Sequence, residues 1–317
     1  MDILKSVALA AAIAAAGTSH AFPDKGVTMI VPFAAGSATD VAARTLADGL
    51  QRSLNQGVAV DNRTGAEGAI GARAVLNGPQ DGHMMLFTSS SITVLDPLMR
   101  ANLGYDPIND FAPICTVGGT RFLLNMTAAS PWKTVAEVIA AAKAAPGKLT
   151  FAYSSASTRL AGELFQQAAG VKLTGVPYRS SAQGLTEVAA GQVNFFFIDT
   201  ASAGPFYQSG KIRPVIVSGA TRLKELPDIP SATEAGLPEF NVTPWFGLYL
   251  SGKTPATVVE QVRTAVSQAL AKPDMKAAIE KRNLIPFAHC GDAMKSFQAN
   301  EINVWRRVTK SAGIEPQ

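Results

Sequence analysis

The chain has 317 residues, 47% of them hydrophobic and 16% charged, enough apolar side chain to bury a sizeable core, which excludes a disordered or low-complexity protein. Its 28 basic and 24 acidic residues give a formal charge of +4, and the basic ones are scattered rather than gathered into a stripe, so nucleic acid is not an expected partner. No second apolar run reaches membrane-spanning length, which excludes a polytopic membrane protein.

The N-terminus carries Lys5, an Ala-rich apolar run over 7–16 and then Ser19-His20-Ala21, the pattern of a secretory signal peptide cleaved after residue 21. Export is therefore expected. Cys115 and Cys290 lie too far apart for spacing to write a disulfide framework or a metal cluster, and they either pair or stand as isolated thiols. His83 and His289, the histidines of the mature chain, have no ligand-type residue at an i, i+4 helical spacing, so no metal site is expected.

Hydrophobic periodicity then predicts strand 27–33, helix 40–54, strand 58–60, helix 68–76 and strand 84–88. Asp106-Pro107 and Ala112-Pro113 punctuate the pattern before it restarts with strand 122–126, helix 134–145, strand 149–153, helix 158–169 and strand 173–176. Helix 182–190, strand 195–198, a short helix near 203–209 and strand 215–218 follow, up to the Pro-rich loop 226–230. The last third reads as strand 245–250 and helices 256–272, 274–282 and 292–311, too short for a third domain and expected to complete the first. The rhythm predicts two α/β lobes around a cleft: 22–104 with 222–317 as the first, and 105–221 as the second. Ligands of such sheets sit at the carboxyl ends of strands, where helices begin.

Small and hydroxyl residues recur at those ends. Ala34-Ala35-Gly36-Ser37-Ala38-Thr39-Asp40 follows the first strand, and its free N–H groups and helix dipole favour an anion. Thr88-Ser89-Ser90-Ser91, Tyr153-Ser154-Ser155-Ala156-Ser157-Thr158 and Arg179-Ser180-Ser181 repeat the pattern. Donors without a base or metal beside them suit binding of carboxylate oxygens better than chemistry. Arg159 and Arg179 are the cationic candidates, since a guanidinium grips a carboxylate bidentately. Asp199, after Phe195-Phe196-Phe197-Ile198, either meets a ligand or caps the next helix.

Other motifs point away from catalysis. Gly247-Leu248-Tyr249-Leu250-Ser251-Gly252-Lys253-Thr254 fits the phosphate-loop spacing, yet its bulky apolar middle reads as strand and Pro255 as a helix start. Gly65, Gly68 and Gly71 lack dinucleotide-fingerprint order and read as a tight turn entering a helix, so no cofactor is implied. There is no G-x-S-x-G elbow, and neither histidine adjoins a serine-rich loop.

The segment Ile30-Val31-Pro32-Phe33-Ala34-Ala35-Gly36-Ser37-Ala38-Thr39-Asp40 resembles the first loop of the Bug-type substrate-binding proteins of tripartite tricarboxylate transporters. Asp61-Asn62-Arg63-Thr64-Gly65-Ala66-Glu67-Gly68, Pro79-Gln80-Asp81-Gly82, Asp110-Phe111-Ala112-Pro113, Val176-Pro177-Tyr178 and Trp245-Phe246-Gly247-Leu248 are similar to that family's recurring segments, in its order, over essentially the whole mature chain. The resemblance implies a periplasmic, two-lobed, non-catalytic receptor that crosses between lobes near 100–110 and 218–225. It would close on a small carboxylate, a di- or aromatic carboxylate, deliver it to integral membrane transporter subunits and act as a monomer. One carboxylate is expected at Ala35, Gly36, Ser37, Ala38 and Thr39. The remainder of the ligand is expected at Ser89, Ser90, Ser154, Ser155 and Arg159 or Tyr178, with Asp199 tuning selectivity. A sensory receptor and a secreted serine esterase are the alternative readings.

Overall fold

The computed structural model describes residues 22–311, 313, 314 and 316; the expected signal peptide lies outside them. Ten strands form two five-stranded sheets, one per lobe, each covered by helices. In the first sheet the order is β2 (Val58–Asn62), β1 (Val27–Val31), β3 (Met84–Ser89), β10 (Trp245–Ser251), β4 (Phe111–Gly119). In the second it is β7 (Thr174–Pro177), β6 (Thr150–Tyr153), β8 (Phe195–Ile198), β5 (Leu123–Thr127), β9 (Ile212–Val217). Each sheet has three parallel strands, β2-β1-β3 or β7-β6-β8. A long-range antiparallel strand joins each set, β10 beside β3 and β5 beside β8.

The parallel strands alternate with helices: α1 (Ala38–Leu54) and α2 (Ala69–Leu76) in the first lobe, α4 (Val135–Ala144), α5 (Ala156–Ala169), α6 (Ser181–Ala189) and α7 (Thr200–Gln208) in the second. After β3 a short π-helix, Ser91–Leu95, runs into the short α3 (Asp96–Met99). The chain ends in α8 (Ala256–Ala271), α9 (Pro273–Glu280) and α10 (Asp292–Ser311). Among the described residues no helix is long and apolar enough to cross a membrane.

β4 is the strand that sequence patterning does not foresee. It lies at a sheet margin, where Pro113 costs no ladder hydrogen bond on its outer side. The segment 285–291 covers that margin: Thr116 N–H donates to the His289 carbonyl and Gly118 N–H to that of Phe287, and a disulfide joins Cys115 to Cys290. Because β4 belongs to the first sheet, the chain changes lobe after Gly119, later than the expected boundary at 105. It also returns later than expected. Val217 N–H donates to the Pro230 carbonyl, Ala232 N–H to that of Val217 and Gly219 N–H to that of Phe240, so residues 229–242 stay against β9. The two crossings run side by side, where Thr120 N–H donates to the Pro244 carbonyl at 2.8 Å. The buried Ser218 hydroxyl fastens both, accepting from Phe122 N–H and donating to the Val242 carbonyl.

The four buried residues of β8 divide between the sheet's two faces. Phe195 and Phe197 pack with Phe151, Phe165 and Phe240, while Phe196 and Ile198 pack under α6 and α7 with Leu185 and Val188. Asn125, fully buried in β5, donates to the carbonyls of Leu123, Phe196 and Ile198 and accepts the Tyr207 hydroxyl, which ties α7 to the sheet. Burial pushes the Tyr207 phenol far up, with the Asp199 charge adding to it, so it stays a donor. The phosphate-loop spacing at 247–254 is strand for most of its length: β10 is buried throughout, between β3 and β4.

Candidate functional site

The N-termini of α1, α5, α6 and α7 meet at the seam between the lobes, each entered from the carboxyl end of a parallel strand. β1 and β6 each lie between two parallel neighbours, so the loops after them sit at the switch points of their sheets. Small polar caps hold the four turns. Ser37 Oγ accepts from Asp40 N–H at 3.3 Å and Ser180 Oγ from Gln183 N–H at 3.2 Å, while Ser155 and Thr158 cap each other reciprocally. Asp199 Oδ1 accepts from Ser202 N–H at 2.8 Å. Four positive helix ends around one space favour a negative guest.

That space has two parts. An outer cavity of about 660 Å³ is lined from the first lobe by residues 32–37 with Thr64, Gly65, Ala66 and Gly68. From the second lobe come Ser154, residues 178–182, Leu185, Ser202, Pro205 and Phe206. An inner recess of about 50 Å³ shares Phe33, Ser37, Ser154, Ser181 and Ser202 with it and adds Ala38, Thr39, Ser89, Ser155, Ser157, Thr158 and Asp199, together with Thr120 and the apolar Phe122, Ile198, Pro244 and Phe246. The lobes touch beside the recess. Ala38 N–H donates to Ser202 Oγ, and Ser157 N–H to Ser91 Oγ, each at 3.3 Å. A separate cavity of about 560 Å³ lies within the first lobe, and its basic groups, Arg263 and Lys295, face Glu260 and Asp292.

The first-lobe loop is built as a rigid piece. Buried Asp40 accepts from Gly36 N–H at 2.9 Å and Arg44 Nε at 3.0 Å on one oxygen, and from Asn62 Nδ2 at 2.9 Å on the other. Asn62 Nδ2 also donates to the Phe33 carbonyl. Burial pushes the Asp40 carboxyl up, but the hydrogen bonds from Arg44, Gly36 and Asn62 outweigh it and hold the group below the usual carboxylate range. On the other side, a Cβ on Gly71 would stand 2.9 Å from Pro32, so glycine lets α2 press against the loop.

The recess holds one acid. Burial pushes the Asp199 carboxyl above its ordinary value, and hydrogen bonds from Ser202 only partly oppose this. Its carboxyl therefore keeps a proton to higher pH, which softens repulsion of an anion beside it. Ser157 is 4% exposed and lines the recess, and its hydroxyl has no protein partner.

Most of the expected residues come together here. Ala35, Gly36 and Tyr178 line the outer cavity; Ala38, Thr39, Ser89, Ser155 and Asp199 line the recess; Ser37 and Ser154 line both. Two do not. Ser90 Oγ accepts from Trp245 N–H and fastens β10 instead. Arg159 lies behind the Ser155 wall with Asp96, Met99 and Arg100, its guanidinium 5.7 Å from the Tyr153 ring centre, because one turn into α5 the side chain points back along the helix flank. Arg179 is the arginine that lines the cavity. Ser157 and Ser181 carried the same serine-rich signal as their neighbours, whereas Ser202, three residues past a cap, carried none.

Residues 42–314 match the family described as tripartite tricarboxylate transporter family receptor. The chain belongs to that family. Rpa4515 of R. palustris, solved with adipate, is 32% identical with a TM-score of 0.89, over 93% of this chain and 100% of that one. The periplasmic binding protein BugD is 28% identical with a TM-score of 0.86, over 93% and 100%. MatC of Rhodopseudomonas palustris, solved with bound malate, is 27% identical with a TM-score of 0.81, over 90% and 99%. This receptor thus has the two-lobed α/β fold of the Bug-type periplasmic binding proteins.

Proposed function

We propose that this receptor works outside the cytoplasm, closes as a monomer on a small carboxylate held between its lobes, and presents it to an integral membrane transporter. The observation that carries the reading is the convergence of four helix N-termini on one cavity at the seam. The adipate and malate of its structural neighbours are acids of the same kind. Among the described residues neither cavity is lined by a histidine or lysine, and the one carboxyl, Asp199, is engaged in capping α7 through Ser202, which favours binding over catalysis. Closure would turn about the paired crossings at 120–122 and 243–244, the ligand adding contacts present only in the closed state.

The test is to unfold and refold the mature protein, removing carried-over ligand, and titrate mono-, di- and aromatic carboxylates while following the thermal midpoint. A bound acid at a hundredfold excess over its Kd stabilises the folded state by about 2.7 kcal/mol, a rise of several degrees. A flat response across all acids would overturn the reading. Ser157→Ala is expected to weaken the best acid about tenfold. The ligand-free protein should be as stable as before or up to about 1 kcal/mol more so, since an unpartnered buried hydroxyl is itself costly. A lowered midpoint without ligand would make that hydroxyl structural instead.

A further inference from the structure

Resting on the carboxylate reading above, we infer that the ligand carries two acidic groups on an extended apolar body, an aromatic ring or a chain of several methylenes, and that Arg179 receives the outer acid. The two halves of the cleft are unequal in size. The recess, about 50 Å³ and lined by hydroxyls such as those of Ser89 and Ser157 beside the apolar Phe122, Ile198, Pro244 and Phe246, has room for one carboxylate and little more. Its buried, unpartnered Ser157 hydroxyl points to a polar guest there.

The outer cavity, about 660 Å³ in this conformation of the cleft, is in the range that holds drug-sized ligands and leaves room for a body longer than a four-carbon diacid. Phe33, Leu185, Pro205 and Phe206 give it apolar walls. Most serines on those walls are already committed to the protein. Ser154 and Ser181 pair with each other at 3.1 Å, Ser180 caps α6, and Ser202 bridges Asp199 and Ala38 N–H. The body of the ligand therefore meets mainly carbon. Among the described residues Arg179 is the one charged side chain lining this cavity, and no acid is within ion-pair distance of it. An unpaired guanidinium on the wall of a largely apolar chamber is matched by a second anionic group on the ligand.

Calorimetry on the refolded mature protein with matched acids tests this: terephthalate against benzoate, suberate against octanoate, and succinate as a short diacid. The long or aromatic diacid should bind at least about tenfold tighter than its monoacid partner and than succinate. Arg179→Gln, at an exposed position, should keep the thermal midpoint and shrink the diacid-to-monoacid ratio below about threefold. Equal binding of monoacid and diacid, a ratio that survives Arg179→Gln, or tightest binding of succinate would each overturn the inference while leaving the carboxylate receptor standing. Failure of every acid to bind would overturn the carboxylate reading itself.

Discussion

Replacing Cys115 and Cys290 together by serine is expected to lower stability by about 2–5 kcal/mol. The two cysteines are 175 residues apart, and the loop they close contains β5 to β9, the return crossing and β10. Loop-closure entropy for so long a loop comes to about 5 kcal/mol in the chain-entropy model. The measured loss should fall short of that, because β4 and the 285–291 segment keep their own ladder: Gly119 and Ile285 exchange hydrogen bonds at 3.0 and 2.8 Å, and Gly291 N–H reaches the Ile114 carbonyl at 2.9 Å. Cys115 is fully buried, so serine there adds a hydroxyl in need of a partner. Denaturant midpoints of the oxidised protein, the reduced protein and the double variant measure the effect. A double variant within about 0.5 kcal/mol of the oxidised protein would mean that the ladder alone sets the position of 285–291.

The α/β rhythm was legible because each parallel strand is a short apolar run with a helix-start signal after it, and the expected segments overlap every strand but β4. That strand was hidden by Pro113, which counts against a strand unless its outer edge is already known to be spare. Missing it put the first crossing too early, since Asp106-Pro107 and Ala112-Pro113 then looked like a linker. The late return was hidden for a different reason. Residues 229–242 have no periodicity of their own and are held by backbone bonds to β9, a tertiary fact.

In the site, loops of recurrent type were readable and individual side-chain directions were not. Arg159 and Arg179 stand in similar sequence surroundings, yet Arg159 has entered its helix and turns along the flank, whereas Arg179 precedes Ser180, the cap of α6, and stays at the cavity. The 64–68 turn was read correctly as a turn. Its approach to the cleft depends on α2 lying against Pro32, which a spacing of glycines does not specify.

Asp40→Ala should cost about 2–4 kcal/mol of stability and, beyond that, most of the ligand affinity. The carboxylate is 3% exposed and answers donors from three places: the Gly36 N–H of the loop, Arg44 on α1 and Asn62 at the end of β2. Alanine takes the acceptor from the Gly36 N–H and leaves the Asn62 Nδ2 group with the Phe33 carbonyl alone, so the loop that offers Ser37 and Ala38 to the recess loses its anchor. Arg44 is half exposed and can turn to water, which keeps the loss below that of a fully buried ion pair. The pH dependence has a definite sign. A carboxyl held below its ordinary value of 3.8 contributes its full stabilisation above that value and loses it as pH falls through the lower folded-state value. Asp40→Asn, which keeps the shape and drops the charge, should therefore be destabilised near pH 7 and converge on the wild type under acid conditions below pH 3.8. Parallel denaturation curves for the two proteins down to pH 2 would show that Asp40 acts through shape alone, and full ligand affinity in Asp40→Ala would show that the loop holds its form without it.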